Sequence, residues 1–273
     1  MKVSAMSAAG RPACGICRMP AALAATVFAG ALFTSLPAAA APITIYSDDF
    51  THAAGDLNGN TVQASSGTDG GTLNATWSSV ATLFNYSGAG VLNSTTNGVY
   101  DYAVLPFTPV AGKVYTLTAV VDPTNSTSSS TLLAVGFANS TATSNSTFTG
   151  RNPWVGYNPR GTGAAYSSGT TSFDTFGTAG SSSEPITVTL TLDTQNAAWA
   201  TTYTVAGATI SDTATFTYAT NPTIAAVYLG NVNTSGTFDN FALTVVPEPS
   251  ALVLLGAGAL ALGGPRRKRA RSA

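Results

Sequence analysis

The sequence predicts an all-β protein: one antiparallel β-sandwich flanked by an N-terminal signal peptide and a short C-terminal membrane-directed helix. Three observations predict the sandwich. Period-two alternation of apolar and polar residues runs through stretches between positions 43 and 245, turn clusters separate those stretches, and no run among them has the 3.6-residue period of a helix. Strands with one apolar face each must bury those faces against a second sheet. Residues 41–246 are enough for a sandwich of jelly-roll size.

The first segment, 1–40, is not part of that fold. It carries Lys2, Arg11 and Arg18 without an acid, then an apolar run over 21–36, then Pro37 and the small residues Ala38 to Ala41. That order is a secretory signal peptide. Cleavage by signal peptidase is expected after Ala40, because a cut after Ala41 would leave Pro42 directly behind the scissile bond. Cys14 and Cys17 precede the apolar run and would leave with the peptide. The rest of the chain has no cysteine, so neither a disulfide nor a thiolate zinc site is expected.

In the body, 113–121 places Tyr115, Leu117, Ala119 and Val121 on one face, with Thr116 and Thr118 on the other. Likewise 186–194 sets Ile186, Val188, Leu190 and Leu192 against Thr187, Thr189 and Thr191. Similar alternation marks 43–50, 99–107, 131–138, 199–205, 208–218, 223–229 and 238–245. Leu117, Ala119, Val188, Leu190, Phe241 and Leu243 are therefore expected in the core. The outward threonines suit an extended backbone and offer a hydroxyl to water or carbohydrate.

Charge narrows the function. Charged residues make up 8% of the chain, against roughly 25% in ordinary soluble domains. Between Asp48 and Asp239 there are 11 acidic side chains and three cations (Lys113, Arg151 and Arg160), a net of −8. Three dispersed cations on an acidic body cannot track a phosphate backbone, so nucleic-acid binding is excluded.

Catalytic groups are scarce. The body holds a single Glu (Glu184), a single His (His52) and no two acids at i, i+2 in a strand. Paired carboxylates for glycoside hydrolysis are thus missing, and no G-x-S-x-G elbow accompanies His52. His52 reads as a solvated loop residue and Glu184 as a loop residue. No enzyme activity and no cofactor are expected. An oxygen-ligand calcium site is one candidate, built from Asp48 and Asp49 on the first strand and Asp239 and Asn240 on the last, since terminal strands of sandwiches often pair. The alternative is that these are ordinary edge or turn residues. A second candidate is a sugar-binding loop or irregular edge over 150–160, where Trp154 and Tyr157 would stack on pyranose faces and Arg151 would bond the hydroxyls. The alternative there is that both rings belong to the core. Seven N-x-S/T sequons, headed by Asn74, Asn85, Asn93, Asn125, Asn139, Asn145 and Asn233, are glycan acceptors by motif. A chain this rich in Asn, Ser and Thr also produces them by chance.

After the body come Pro247, Glu248 and Pro249, an exposed extended linker by virtue of its two prolines. An apolar run follows over 251–264, then Arg266, Arg267, Lys268, Arg269 and Arg271. Fourteen helical residues reach about 21 Å, short of the ~30 Å hydrocarbon core. The basic end would stay cytoplasmic.

This ending, 247–273, resembles the PEP-CTERM sorting signal in each of its three parts and in their order. The resemblance implies an exosortase that cleaves near Pro247, Glu248 and Pro249 after transient residence in the inner membrane. It further implies export to the cell surface or exopolysaccharide matrix, the biofilm setting, of a Gram-negative-type cell. The body resembles the concanavalin-like (LamG-type) jelly rolls through Tyr46 to Phe50, the turn at Leu57 to Gly59, Trp77 and the closing stretch 236–243. Enzymatic members carry a carboxylate cluster that this chain lacks. A structural or adhesive surface protein is therefore the first expectation, a carbohydrate-binding module the second, with polysaccharide as a partner, and a glycan-active enzyme a distant third.

Overall fold

A computed structural model of the chain describes residues 41–95, 100–123, 132–145, 150–158, 163–169, 174–176 and 184–246. The expected signal peptide, Pro-Glu-Pro linker, apolar run and basic tail lie outside the described residues. In chain order the strands are β1 (Ile43–Asp48), β2 (Gly55–Asp56), β3 (Ala64–Ser65), β4 (Phe84–Tyr86), β5 (Leu92–Ser94) and β6 (Tyr100–Pro106). They continue as β7 (Val114–Asp122), β8 (Leu132–Ala138), β9 (Ser144–Asn145), β10 (Trp154–Asn158), β11 (Gly163–Ser167) and β12 (Asp174–Thr175). The last are β13 (Ile186–Asp193), β14 (Ala200–Ala206), β15 (Ser211–Thr217), β16 (Ala226–Val232) and β17 (Gly236–Val246). Among the described residues there is no helix, and so none long and apolar enough to cross a membrane.

The strands form two sheets, antiparallel throughout. A ten-stranded sheet runs β15-β14-β13-β7-β17-β5-β4-β2, with β1 on β17 and β3 on β1. A seven-stranded sheet runs β12-β11-β10-β8-β16-β6-β9. Their facing sides bury one continuous apolar cluster that includes Leu117, Ala119, Val188, Leu190, Phe241 and Leu243, all six of the expected core residues. A fully buried Leu or Phe contributes about 1.5–3 kcal/mol.

Two irregularities let the terminal strands bury more than alternation permits. In β17 the register shifts between Asp239 and Ala242, and Asn240 takes the left-handed conformation at φ 50°. The extra residue turns both Phe238 and Phe241 inward, although three positions apart they would otherwise face opposite ways. A shift between Thr44 and Tyr46 in β1 does the same for the neighbours Ile45 and Tyr46.

The seven-stranded sheet departs from simple alternation in another way: it is apolar on both faces. Residues of β8 and β16 are buried along their whole length. The outward side chains Tyr102, Val104, Ala134, Trp154 and Tyr228 belong to a second apolar cluster.

Candidate functional site

The stretch expected as a sugar-binding loop is instead a central strand. Trp154 to Asn158 form β10, which pairs with β8 on one side and β11 on the other. Gly150 and Pro153, read as loop formers, precede it, and Gly156 lies within it. Trp154 and Tyr157 are three positions apart and so point to opposite faces of a pleated strand. Tyr157 lies in the core between the sheets and Trp154 in the second cluster on the outward face. They are 0% and 2% exposed, so this pair forms no exposed stacking platform.

Arg151 is also buried, at 1% exposure. Its guanidinium carbon lies 4.1 Å from the centre of the Tyr102 ring and 5.6 Å from that of Tyr228. Those two rings meet edge to face at 5.3 Å. Nη1 donates to the Ser140 carbonyl at 3.1 Å, and Nη2 donates to the Ala142 carbonyl. Burial pulls the guanidinium pKa down, while the adjacent tyrosines Tyr228 and Tyr102 act the other way. A planar fork on an aromatic face with carbonyl acceptors at its edge fastens the 140–142 segment over the outward side of β6 and β16. Arg151 is thus committed to protein contacts inside the fold and not to an open sugar-facing surface.

The second constellation surrounds Asp48. Alternation puts its side chain on the inner face of β1, with Tyr46, and it is 1% exposed. Its Oδ1 accepts from the Phe50 N–H at 2.9 Å and its Oδ2 from the Trp77 Nε1–H at 3.0 Å. Desolvation raises its pKa above the ordinary aspartate value, outweighing the hydrogen bonds from Trp77 and Phe50. His52 lies outside any strand, as expected, and its side chain is 36% exposed, but its Nε2 turns inward. Its ring lies 4.5 Å from that of Tyr86, and its Nε2 is buried 3.7 Å from Asp48 Oδ1, too far for a hydrogen bond. Burial first and the Asp48 charge second push the Tyr86 phenol up. With no hydrogen bond between His52 Nε2 and Asp48, the pair does not form the base-and-carboxylate half of a triad.

The remaining candidates fall into ordinary turn chemistry. Strands β1 and β17 pair as expected, with Asp48 opposite Phe241. Asp49 Oδ1 is engaged by the Thr51 N–H at 3.1 Å and the Thr51 hydroxyl at 2.6 Å. Asp239 Oδ1 accepts from the Asn240 N–H at 2.6 Å within the bulge. Asp48 is buried and engaged, and among the described residues no three His, Cys, Asp or Glu side chains converge as a metal site. Glu184 lies outside any strand, its Oε1 accepting from the Thr209 N–H at 3.0 Å and hydroxyl at 2.6 Å.

No protein-family model matches the chain. No curated protein matches it either. Among solved structures it is similar to lectin II from Ulex europaeus, at 12% identity and TM-score 0.44, over 64% of this chain and 93% of that one. It is similar to the winged bean acidic lectin, complexed with methyl-α-D-galactose, at 11% identity and TM-score 0.44, over 71% of this chain and 98% of that one. An endo-1,3-β-glucanase from Streptomyces sioyaensis is similar at 14% identity and TM-score 0.40, over 75% of this chain and 96% of that one. Likeness at this level carries neither ligand nor chemistry to this chain.

Proposed function

We propose that this chain is an exported, non-enzymatic protein of the surface or extracellular matrix of a Gram-negative-type cell, structural or adhesive in role. On this reading signal peptidase removes 1–40 during passage through the inner membrane, and an exosortase removes the tail at Pro247, Glu248 and Pro249. The observation that carries it is the relation between the sandwich and the two expected cleavage points. β1 begins at Ile43, just past Ala40, and β17 ends at Val246, the residue before Pro247. Those strands pair with each other, Ile43 opposite Val245, while Val246 is still paired with Val114 of β7. Both cuts would therefore spare every hydrogen-bonded residue of the sandwich. Both flanking segments also leave from adjacent strands, which suits a body carried between two membrane-directed ends.

Replacing Pro247, Glu248 and Pro249 together with Ala in the producing cell tests this. The sandwich should fold while the protein stays in the inner membrane at full tail length. Surface delivery of that variant at the normal rate and size would refute the sorting role. A sugar-binding role would have to use a surface other than the Trp154 and Tyr157 pair.

A further inference from the structure

The outward face of the ten-stranded sheet carries a regular array of threonines. Cross-strand register aligns Thr215, Thr202, Thr191, Thr116, Thr244 and Thr44 in one row across six strands, β15-β14-β13-β7-β17-β1. The next row is Thr213, Thr204, Thr189 and Thr118, followed by Ala242 and Ser47. Neighbours within a row are about 4.8 Å apart, and the rows about 7 Å apart. All these positions are half-buried or exposed. Neither row holds a charge; Asp193 and Asp239 lie on positions beyond them. Thr204 and Thr213 share a hydrogen bond at 3.2 Å, and the Thr244 hydroxyl reaches the Thr116 carbonyl at 3.5 Å. Among the described residues the other hydroxyls of the two rows have no protein partner.

We infer that this face is a docking surface for a neutral polysaccharide chain. Each threonine supplies a hydroxyl that both donates and accepts, beside a methyl held in place by the β-branched side chain. A row is thus a line of paired polar and apolar contacts, complementary to the ring hydroxyls and C–H groups of a pyranose chain. Charge selects the neutral class, because uncharged rows on a body of net −8 between Asp48 and Asp239 offer a polyanion only repulsion. Shape excludes a rigid planar lattice: strands twist by roughly 20–25° each, so five steps turn the face by on the order of 100°. A chain with rotatable linkages can follow that turn. A second copy is disfavoured by area. Six strands of about seven residues present roughly 600 Å², below the ~800 Å² per partner of a stable interface, without an aromatic anchor.

The inference stands apart from sorting, because binding is measured on the isolated full chain. The chain in detergent is run through gels containing a soluble neutral β-glucan, or alginate as the polyanionic probe. Retardation by the glucan alone is expected. Thr191→Val with Thr202→Val keeps shape and strand preference but removes two hydroxyls, and should weaken retardation on the order of tenfold. Thr191→Ser with Thr202→Ser should restore part of it, and Thr61→Val, off the rows, should leave it unchanged. An unchanged melting temperature identifies the loss as one of contact. No retardation by the glucan, equal retardation by alginate, or a Val-sensitive dimer in sedimentation would each overturn the inference.

Discussion

Asp48→Asn is the most informative perturbation of the fold, because it separates a hydrogen-bond cost from a charge cost. Both carboxylate oxygens of Asp48 are committed, to the Phe50 N–H and the Trp77 Nε1–H. An amide keeps one acceptor and turns N–H groups toward the other donor, so one buried donor loses its partner at about 1–3 kcal/mol. Asn also removes the burden of burying a charge. In the wild type the folded pKa of Asp48 is raised above 3.8 by desolvation. Below the ordinary aspartate value the residue is protonated in both states and its contribution is fully present. As pH rises through the folded value the unfolded chain binds fewer protons than the folded one, and stability falls. Asp48→Asn should therefore be the less stable protein at acid pH and lose less stability as pH rises towards neutrality. Urea denaturation across that window, followed by Trp fluorescence, reads both effects. Trp77→Phe should combine with Asp48→Asn less than additively, by about 1–3 kcal/mol. An undiminished pH slope in Asp48→Asn, or strict additivity, would refute the assignment of Asp48 as a buried acceptor.

Arg151→Lys should cost about 1.5–3 kcal/mol in denaturant, because an ammonium cannot lie flat on Tyr102 while reaching both the Ser140 and Ala142 carbonyls. Equal stability would show that the fork geometry is irrelevant. Gly70→Ala should cost at least about 3 kcal/mol, since φ there is +93° and a Cβ would collide with the Thr108 carbonyl oxygen. A melt within a degree of wild type would contradict that close approach. Asp49 and Asp239 each accept within their own turn, from Thr51 and Asn240, so melts in millimolar calcium and in chelator should coincide. A rise in calcium that Asp239→Asn abolishes would restore the site.

The ten-stranded sheet was legible where one face is solvated. The stretches expected at 113–121 and 186–194 became Val114–Asp122 and Ile186–Asp193, because threonine alternating with Val or Leu leaves a single sensible register. The stretch expected at 208–218 begins later, at Ser211, because the Ile210 carbonyl closes a turn back to the Gly207 N–H. In the seven-stranded sheet both faces are apolar; alternation still located β6 and β8 to within a residue but served the other strands less well. The expected 223–229 is Ala226–Val232, displaced by three residues. β10 was missed as a central strand, because Gly156 and the prolines at 153 and 159 mimic a loop while pairing on both sides holds it in the sheet. The Asp48 cluster was not legible in the sequence, where Asp48 stands as a calcium or turn candidate; only long-range folding brings Trp77, Tyr86 and His52 around it.

The central claim is that the sandwich is a cargo trimmed at both ends, and the intact mass of the native, surface-localised protein tests it most directly. The account predicts a chain beginning at Ala41 and lacking everything after about Pro249, with any excess mass due to attached glycan. Recovery of the peptide bearing Arg266, Arg267, Lys268, Arg269 and Arg271 from surface protein would contradict it and make the tail a retained anchor.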